Sequence, residues 1–271
     1  MLTSLSNERV KLVRALQTQR KTREKEKRFV VEGVRLMEEA LQANADFDFV
    51  FYEEMKDERG RKLLDELTHR GVSLIQTSPK IMRACADTDT PQGVIAVVKN
   101  ERLKIKDSVA SNSIINIQSL ILICDHLSDP GNLGTLLRTA AAADVEAVLL
   151  SPDTVDAFNP KVVRAGMGAH FRLPIESLGW EEITKRTASA KIYLADKRHG
   201  IRTTQYDLVD WTRPCALIVS SEAEGASEEA QALAAESVYI PMQKKVESLN
   251  AAIAGSIILF EAVRQRNLTR R

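Results

Sequence analysis

The first hundred positions alternate short apolar runs of period two with amphipathic stretches of period 3.6. In "SNERVKLVRALQTQ" a serine at the cap position, Ser6, precedes Val10, Leu12, Val13 and Leu16 on one face, which predicts a helix. "RFVVEG" predicts a strand, "VRLMEEALQA" a helix and "FDFVFY" a second strand. "RKLLDELTHRG" predicts a helix closed by Gly71, "VSLIQT" a strand, "SPKIMRACA" a helix opened by Pro79, and "GVIAVV" a last strand. The unit is a small alternating α/β domain over residues 1–99.

Residues 100–117 lose this rhythm, and their Ser/Asn-rich middle predicts a linker. From residue 118 to 271 the alternation resumes with unbroken apolar runs: "LILICD", "EAVLLS", "KIYLAD", "CALIVSS" and "VYIPM". Such runs suit central strands of a parallel sheet covered on both faces. Helices are predicted over 133–143, about 160–167, about 180–189, 227–235 and 248–266. The fold class is α/β, a larger parallel-sheet domain behind a smaller N-terminal one.

Composition changes this picture little. Apolar residues form 44% and charged residues 28% of 271, with a net charge of +1, as in an ordinary globular chain. The charge is uneven: residues 1–35 hold ten Lys/Arg against four Glu, and the end "RQRNLTRR" is also basic. That suits a polyanion such as RNA, and equally a solvated chain end. Cys85, Cys124 and Cys215 have no metal-ligand spacing, so no metal is expected. With no secretory signal and no apolar run of membrane-spanning length, the expected location is cytoplasmic.

In a parallel sheet of this kind ligands bind beyond the carboxyl ends of the strands. Three predicted loops lie at such ends: "DPGNLG" followed by Arg138, "SSEAEG" from Ser220 to Gly225, and "IPMQKKVESLN" from Ile240 to Asn250. Each has a plain structural reading as well: a Pro-Gly turn, a polar loop capped by Ser227, and a helix start capped by Ser248. No dinucleotide or P-loop glycine motif, nucleophile elbow or HExxH pair is present. His126 and His170 are read as structural or surface residues, and Asp129 as a turn aspartate.

These three stretches resemble, in order and spacing, the three motifs of the SpoU/TrmH-type RNA ribose 2′-O-methyltransferases of the SPOUT superfamily. The matching segments are "DPGNLGTLLRTAAAADVEAVLLSP", "ALIVSSEAEGAS" and "VYIPMQKKVESLNAAIAGSIILFEAVRQR", with "PKVVRAGMGAHFRLPI" between the first two. "SLSNERVKLVRALQTQRKTREKEKRFVVEG" is similar to the opening of the family's small, ribosomal-protein-like substrate-binding domain. The resemblance implies a trefoil-knotted C-terminal domain, S-adenosyl-L-methionine as cofactor, RNA (ribosomal rather than transfer RNA) as partner and a homodimer.

Carried over by position, the resemblance assigns catalytic roles to Arg138, Asn132, Glu222, Ser248 and Asn250. It assigns cofactor binding, largely through the backbone, to Ser220, Ile240, Met242 and Leu249. Arg138 would be essential, as base or as orienter. The chain departs from the pattern at Ser220 and Lys244, where the family usually has glycine, and at Ala252, where serine is common. The alternative those departures raise is a non-catalytic RNA-binding or ribosome-assembly protein on a methyltransferase scaffold.

Overall fold

The structure is a computed structural model that describes residues 1–100, 119–196, 202–243 and 248–269. The expected linker, from residue 101 onward, lies outside them, as do Lys244 and His199. The chain divides into two compact units, one of residues 1–103 and 156–172, the other of 104–155 and 173–271.

The first unit opens with helices α1 (Glu8–Thr18) and α2 (Arg20–Glu26) and strand β1 (Arg28–Glu32). Then follow α3 (Val34–Gln42), β2 (Phe47–Tyr52), α4 (Glu58–His69), β3 (Leu74–Gln76), α5 (Pro79–Cys85) and β4 (Val94–Lys99). Its sheet runs β1-β4-β2-β3, with β4 antiparallel to both neighbours and β3 parallel to β2. Val10, Val13 and Leu16 bury the expected face of α1, but the cap is Asn7, whose side chain accepts from the Arg9 amide, in place of Ser6. Helix α2 has no apolar face to announce it; its one buried residue is a charge, Arg23.

The second unit carries β5 (Leu120–Asp125), α6 (Pro130–Ala142) and β6 (Ala147–Leu150). Helix α7 (Pro160–Gly166) comes next in the chain and packs in the first unit. The second unit continues with β7 (Ile175–Ser177), α8 (Trp180–Arg186), β8 (Lys191–Ala195), β9 (Thr203–Gln205) and β10 (Cys215–Ser220). It ends with α9 (Glu228–Leu233), β11 (Glu236–Tyr239) and α10 (Ala251–Thr269). All seven strands are parallel, in the order β7-β6-β5-β10-β8-β11-β9.

The fully buried run of β5 and the buried β10 form the centre of this sheet, as their unbroken apolar character requires. Helix α10 covers them closely. A Cβ on Gly255 would come within 2.7 Å of Leu136 Cδ2 on α6 and 3.0 Å of Val219 Cγ2 on β10, so a larger residue there would force the Leu136 side chain to shift. Thr139 and Ser256 add a hydroxyl contact of 2.9 Å between α6 and α10. The passage that would close the implied knot includes 244–247, outside the described residues.

Residues 156–172, which follow the first of the three expected loops in sequence, are held in the first unit. Asp156 pairs with Arg23 at 2.6 Å, and Phe158 and Phe171 lie 5.1 Å and 5.9 Å from the Phe29 ring. All three cysteines are buried and free; burial pushes the Cys85 and Cys215 thiols up to about 11. No described helix is long and apolar enough to cross a membrane.

Candidate active site

Strand order reverses direction at the centre of the large sheet: β6 and β7 extend from one side of β5, and β10 and β8 from the other. A crevice for ligands is expected at the carboxyl ends there. The loops after β5, β10 and β11 all open at that end.

After β5 no separate turn precedes the helix. Asp129 caps α6, its side chain accepting from the Asn132 amide at 2.8 Å, and Pro130 fills the first turn where a missing N–H costs nothing. This places Asn132 in the opening turn of the helix, earlier than the expected start at 133. After β10 the chain makes a tight loop closed by the Gly225 amide on the Ser221 carbonyl at 3.0 Å. Gly225 has φ +77, a conformation other residues avoid. At the start of α10 the cap is Asn250, whose Oδ1 accepts from the Ile253 amide at 3.2 Å; Ser248, expected as the cap, lies two positions earlier and is exposed.

The three loops meet in one hydrogen-bonded cluster. Asn250 Nδ2 donates to Asn132 Oδ1 and to Glu222 Oε1, each at 2.8 Å. Asn132 Nδ2 donates to the same Glu222 oxygen at 3.3 Å, and the Ala251 amide donates to it at 2.7 Å. The Glu222 carboxylate therefore sits on the N-terminus of the nineteen-residue α10, where the helix dipole favours an anion. These four bonds fix side chains that are separated by up to 118 positions in sequence.

The other assigned residues are placed but not tied together. Arg138 lies on α6 with its side chain exposed, and it makes no ion pair or hydrogen bond among the described residues. Ile240, Met242 and Leu249 are half-buried in the segments on either side of 244–247. Ser220 turns its hydroxyl inward, donating to Asp125 Oδ2 at 3.1 Å, so its side chain does not fill the space that a glycine would leave open. Lys244 lies outside the described residues. Among those residues no group of His, Cys, Asp and Glu could hold a metal ion.

Asp125 was missed by the sequence reading. It ends a strand of wholly apolar appearance, and its complete burial shows only in the structure. Beside it His126 adopts φ 52 and places Nδ1 3.8 Å from Glu224 Oε2.

Solved structures with this architecture include RNA methyltransferases. The structure titled AdoMet-bound rRNA methyltransferase from Sinorhizobium meliloti superposes with a TM-score of 0.81 at 28% identity, covering 97% of each chain. The SpoU methyltransferase AviRb from Streptomyces viridochromogenes, in complex with AdoMet, gives 0.81 at 27% identity over 96% of this chain and 98% of its own. Fold and site thus define an RNA methyltransferase.

The chain belongs to the SpoU rRNA Methylase family, whose description matches residues 119–260, while an MRM3-like substrate binding domain matches 7–96. It is 34% identical to human mitochondrial rRNA methyltransferase 3, over 95% of this chain and 72% of that one. It is 30% identical to the 23S rRNA (guanosine(2553)-2'-O)-methyltransferase RlmP of Bacillus subtilis, over 96% and 97%.

Proposed function

We propose that the protein transfers a methyl group from S-adenosyl-L-methionine to a ribose 2′-hydroxyl of ribosomal RNA. The observation that carries the reading is the convergence of Asn132, Glu222 and Asn250 at the carboxyl end of the parallel sheet. The relatives' activity on ribosomal RNA supports the substrate class.

The residues around the crevice suit the cofactor. Ile240, Met242 and Leu249 offer half-buried apolar side chains for a purine. Among the described residues no lysine or arginine cradle suggests a di- or triphosphate instead. When bound, the cofactor supplies an electrophilic methyl on a sulfonium that departs as a neutral thioether.

What the chain's residues must do is hold the 2′-oxygen in line with that methyl while its proton passes to solvent water. Glu222, whose Oε1 accepts from three donors, ties Asn132 after β5 and Asn250 at the start of α10 to the loop after β10. Arg138 projects from α6 as an exposed guanidinium. Its role in this reading is that of a cation: it orients the RNA phosphate and stabilises the 2′-oxyanion as the proton leaves. Ser248 and Ser220's backbone complete the rim.

The working unit is a homodimer. Helix α10 is mostly apolar from Ala251 to Phe260, and one side packs on α6 and β10. The other leaves Ile253 51% and Phe260 50% exposed, seven positions apart on one face, a pattern that a second copy would cover.

Calorimetric titration with S-adenosylhomocysteine, followed by mapping of ribose methylation in ribosomal RNA incubated with protein and cofactor, tests the reading. One ligand bound per chain and a new 2′-O-methyl mark are expected. Absence of binding both with and without RNA would overturn it in favour of a non-catalytic RNA-binding protein.

A further inference from the structure

Beneath the Asn132–Glu222–Asn250 cluster lies a carboxylate that the proposed chemistry does not use. Asp125 is 0% exposed, and among the described residues no lysine or arginine reaches it; the nearest group able to carry positive charge is His126, with Nε2 4.0 Å from Oδ1. A buried carboxylate without a strong counter-charge is stable only where donors fill its oxygens. Here they do. Oδ2 accepts the Ser220 hydroxyl at 3.1 Å and the Ser227 amide at 2.9 Å. Oδ1 accepts the Ser227 hydroxyl at 3.0 Å and the Ser151 hydroxyl at 3.2 Å.

The donors are not scattered. Ser220 ends β10 and Ser227 caps α9, so they are the first and last residues of the loop that carries Glu222. The Ser221 amide adds a bond of 3.1 Å to the main-chain oxygen of Asp125. Ser151 stands just beyond β6, on the other side of β5. One side chain therefore clamps both ends of the Glu222 loop to the central strand and to its neighbour.

We infer that Asp125 is a positioning residue: it fixes the Ser220–Ser227 loop, and through that loop sets Glu222 and the cofactor-binding backbone. The inference rests on reading the crevice as the cofactor site. It also gives Ser220 a reason. Its hydroxyl adds a tie to Asp125 that the glycine common in the family cannot make, and the inward turn keeps the crevice clear. The departure at this position strengthens the clamp.

Asp125→Asn is the direct test, since an amide nitrogen in place of Oδ1 cannot accept from the Ser227 and Ser151 hydroxyls, which must turn to meet it, and the charge that holds all four donors is gone. Amide exchange across 220–227, measured on the intact protein without ligand, should quicken by about tenfold or more. The dissociation constant for S-adenosylhomocysteine should rise about tenfold, and KM for the cofactor should rise by more than kcat falls. Ser220→Ala alone should weaken binding by about two- to fivefold, and add nothing in the Asp125→Asn background, because both act through one clamp.

A folded Asp125→Asn protein with unchanged exchange and unchanged binding overturns the inference. If that variant does not unfold cooperatively, Ser220→Ala decides: unchanged exchange and binding there overturn it equally. A wild-type protein that binds no S-adenosylhomocysteine defeats the cofactor reading instead, and the exchange measurement, which needs no ligand, still decides the role of Asp125.

Discussion

Two arginines show how differently the molecule treats the same group. Arg23, in the interior of the first unit, is 6% exposed and fully answered: Nη2 lies 2.6 Å from Asp156 Oδ2, Nε donates to the same carboxylate at 2.7 Å, and Nη1 donates to the Leu16 carbonyl at 2.5 Å. Arg138, two turns into helix α6 of the second unit, is exposed and has no polar partner among the described residues. A buried guanidinium must be paired, since leaving it unpaired costs several kcal/mol. An exposed one need not be, and on a helix whose other faces bury Leu133, Leu136, Leu137 and Ala140 it contributes nothing to packing. The first arginine is part of the fold. The second is available to something outside it.

The largest effect should follow from removing the second. Arg138→Ala is expected to lower single-turnover methylation by about a thousandfold, the scale of losing one transition-state charge contact, while the melting temperature stays within about a degree. Methylation kinetics beside thermal unfolding would show it. Arg138→Ala with full activity would remove the residue from the mechanism.

That contrast was only half legible in the sequence. Arg138 stood out as a lone charge on an apolar helix after a Pro-Gly turn, and the three loops could be placed at strand ends from the apolar runs before them. The meeting of Asn132, Glu222 and Asn250 could not be read, because no local pattern brings residues 90 and 118 positions apart into contact. Short edge strands β7 and β9, three residues each, were missed since their stability comes from neighbours rather than from composition. Helix α2 and the packing of residues 156–172 in the first unit left no pattern in the sequence for one reason. Their anchor is a buried ion pair and an aromatic cluster, neither of which leaves a periodic trace.

Breaking that anchor should move stability rather than chemistry. Asp156→Ala leaves Arg23 buried without its carboxylate, and a loss of about 3–5 kcal/mol in unfolding free energy is expected. Replacing both partners with apolar residues of similar volume should recover most of it, because the penalty is the orphaned charge. Urea unfolding of the single and double variants separates the two cases. A single variant as stable as the wild type would mean that water reaches Arg23, against its 5% side-chain exposure.

The smallest effect concerns His170, in the same cluster and 5.6 Å from the Phe158 ring. Its Nε2–H donates to the Ala157 carbonyl at 2.7 Å, and its Nδ1 has no hydrogen-bond partner, so the ring is held neutral. Burial pushes its pKa down to about 4, against the ordinary value near 6.5. Above pH 6.5 the ring is neutral in both folded and unfolded chains, and its full contribution is present. As pH falls toward 4 the unfolded chain takes up a proton that the native site refuses, and stability drops by about 3 kcal/mol across that window, with no further change below it. His170→Gln keeps a donor for Ala157 but cannot titrate. Subtracting its urea-unfolding curve from that of the wild type between pH 7 and pH 4.5 should isolate this slope. Parallel curves would mean that the buried ring accepts a proton in the native state.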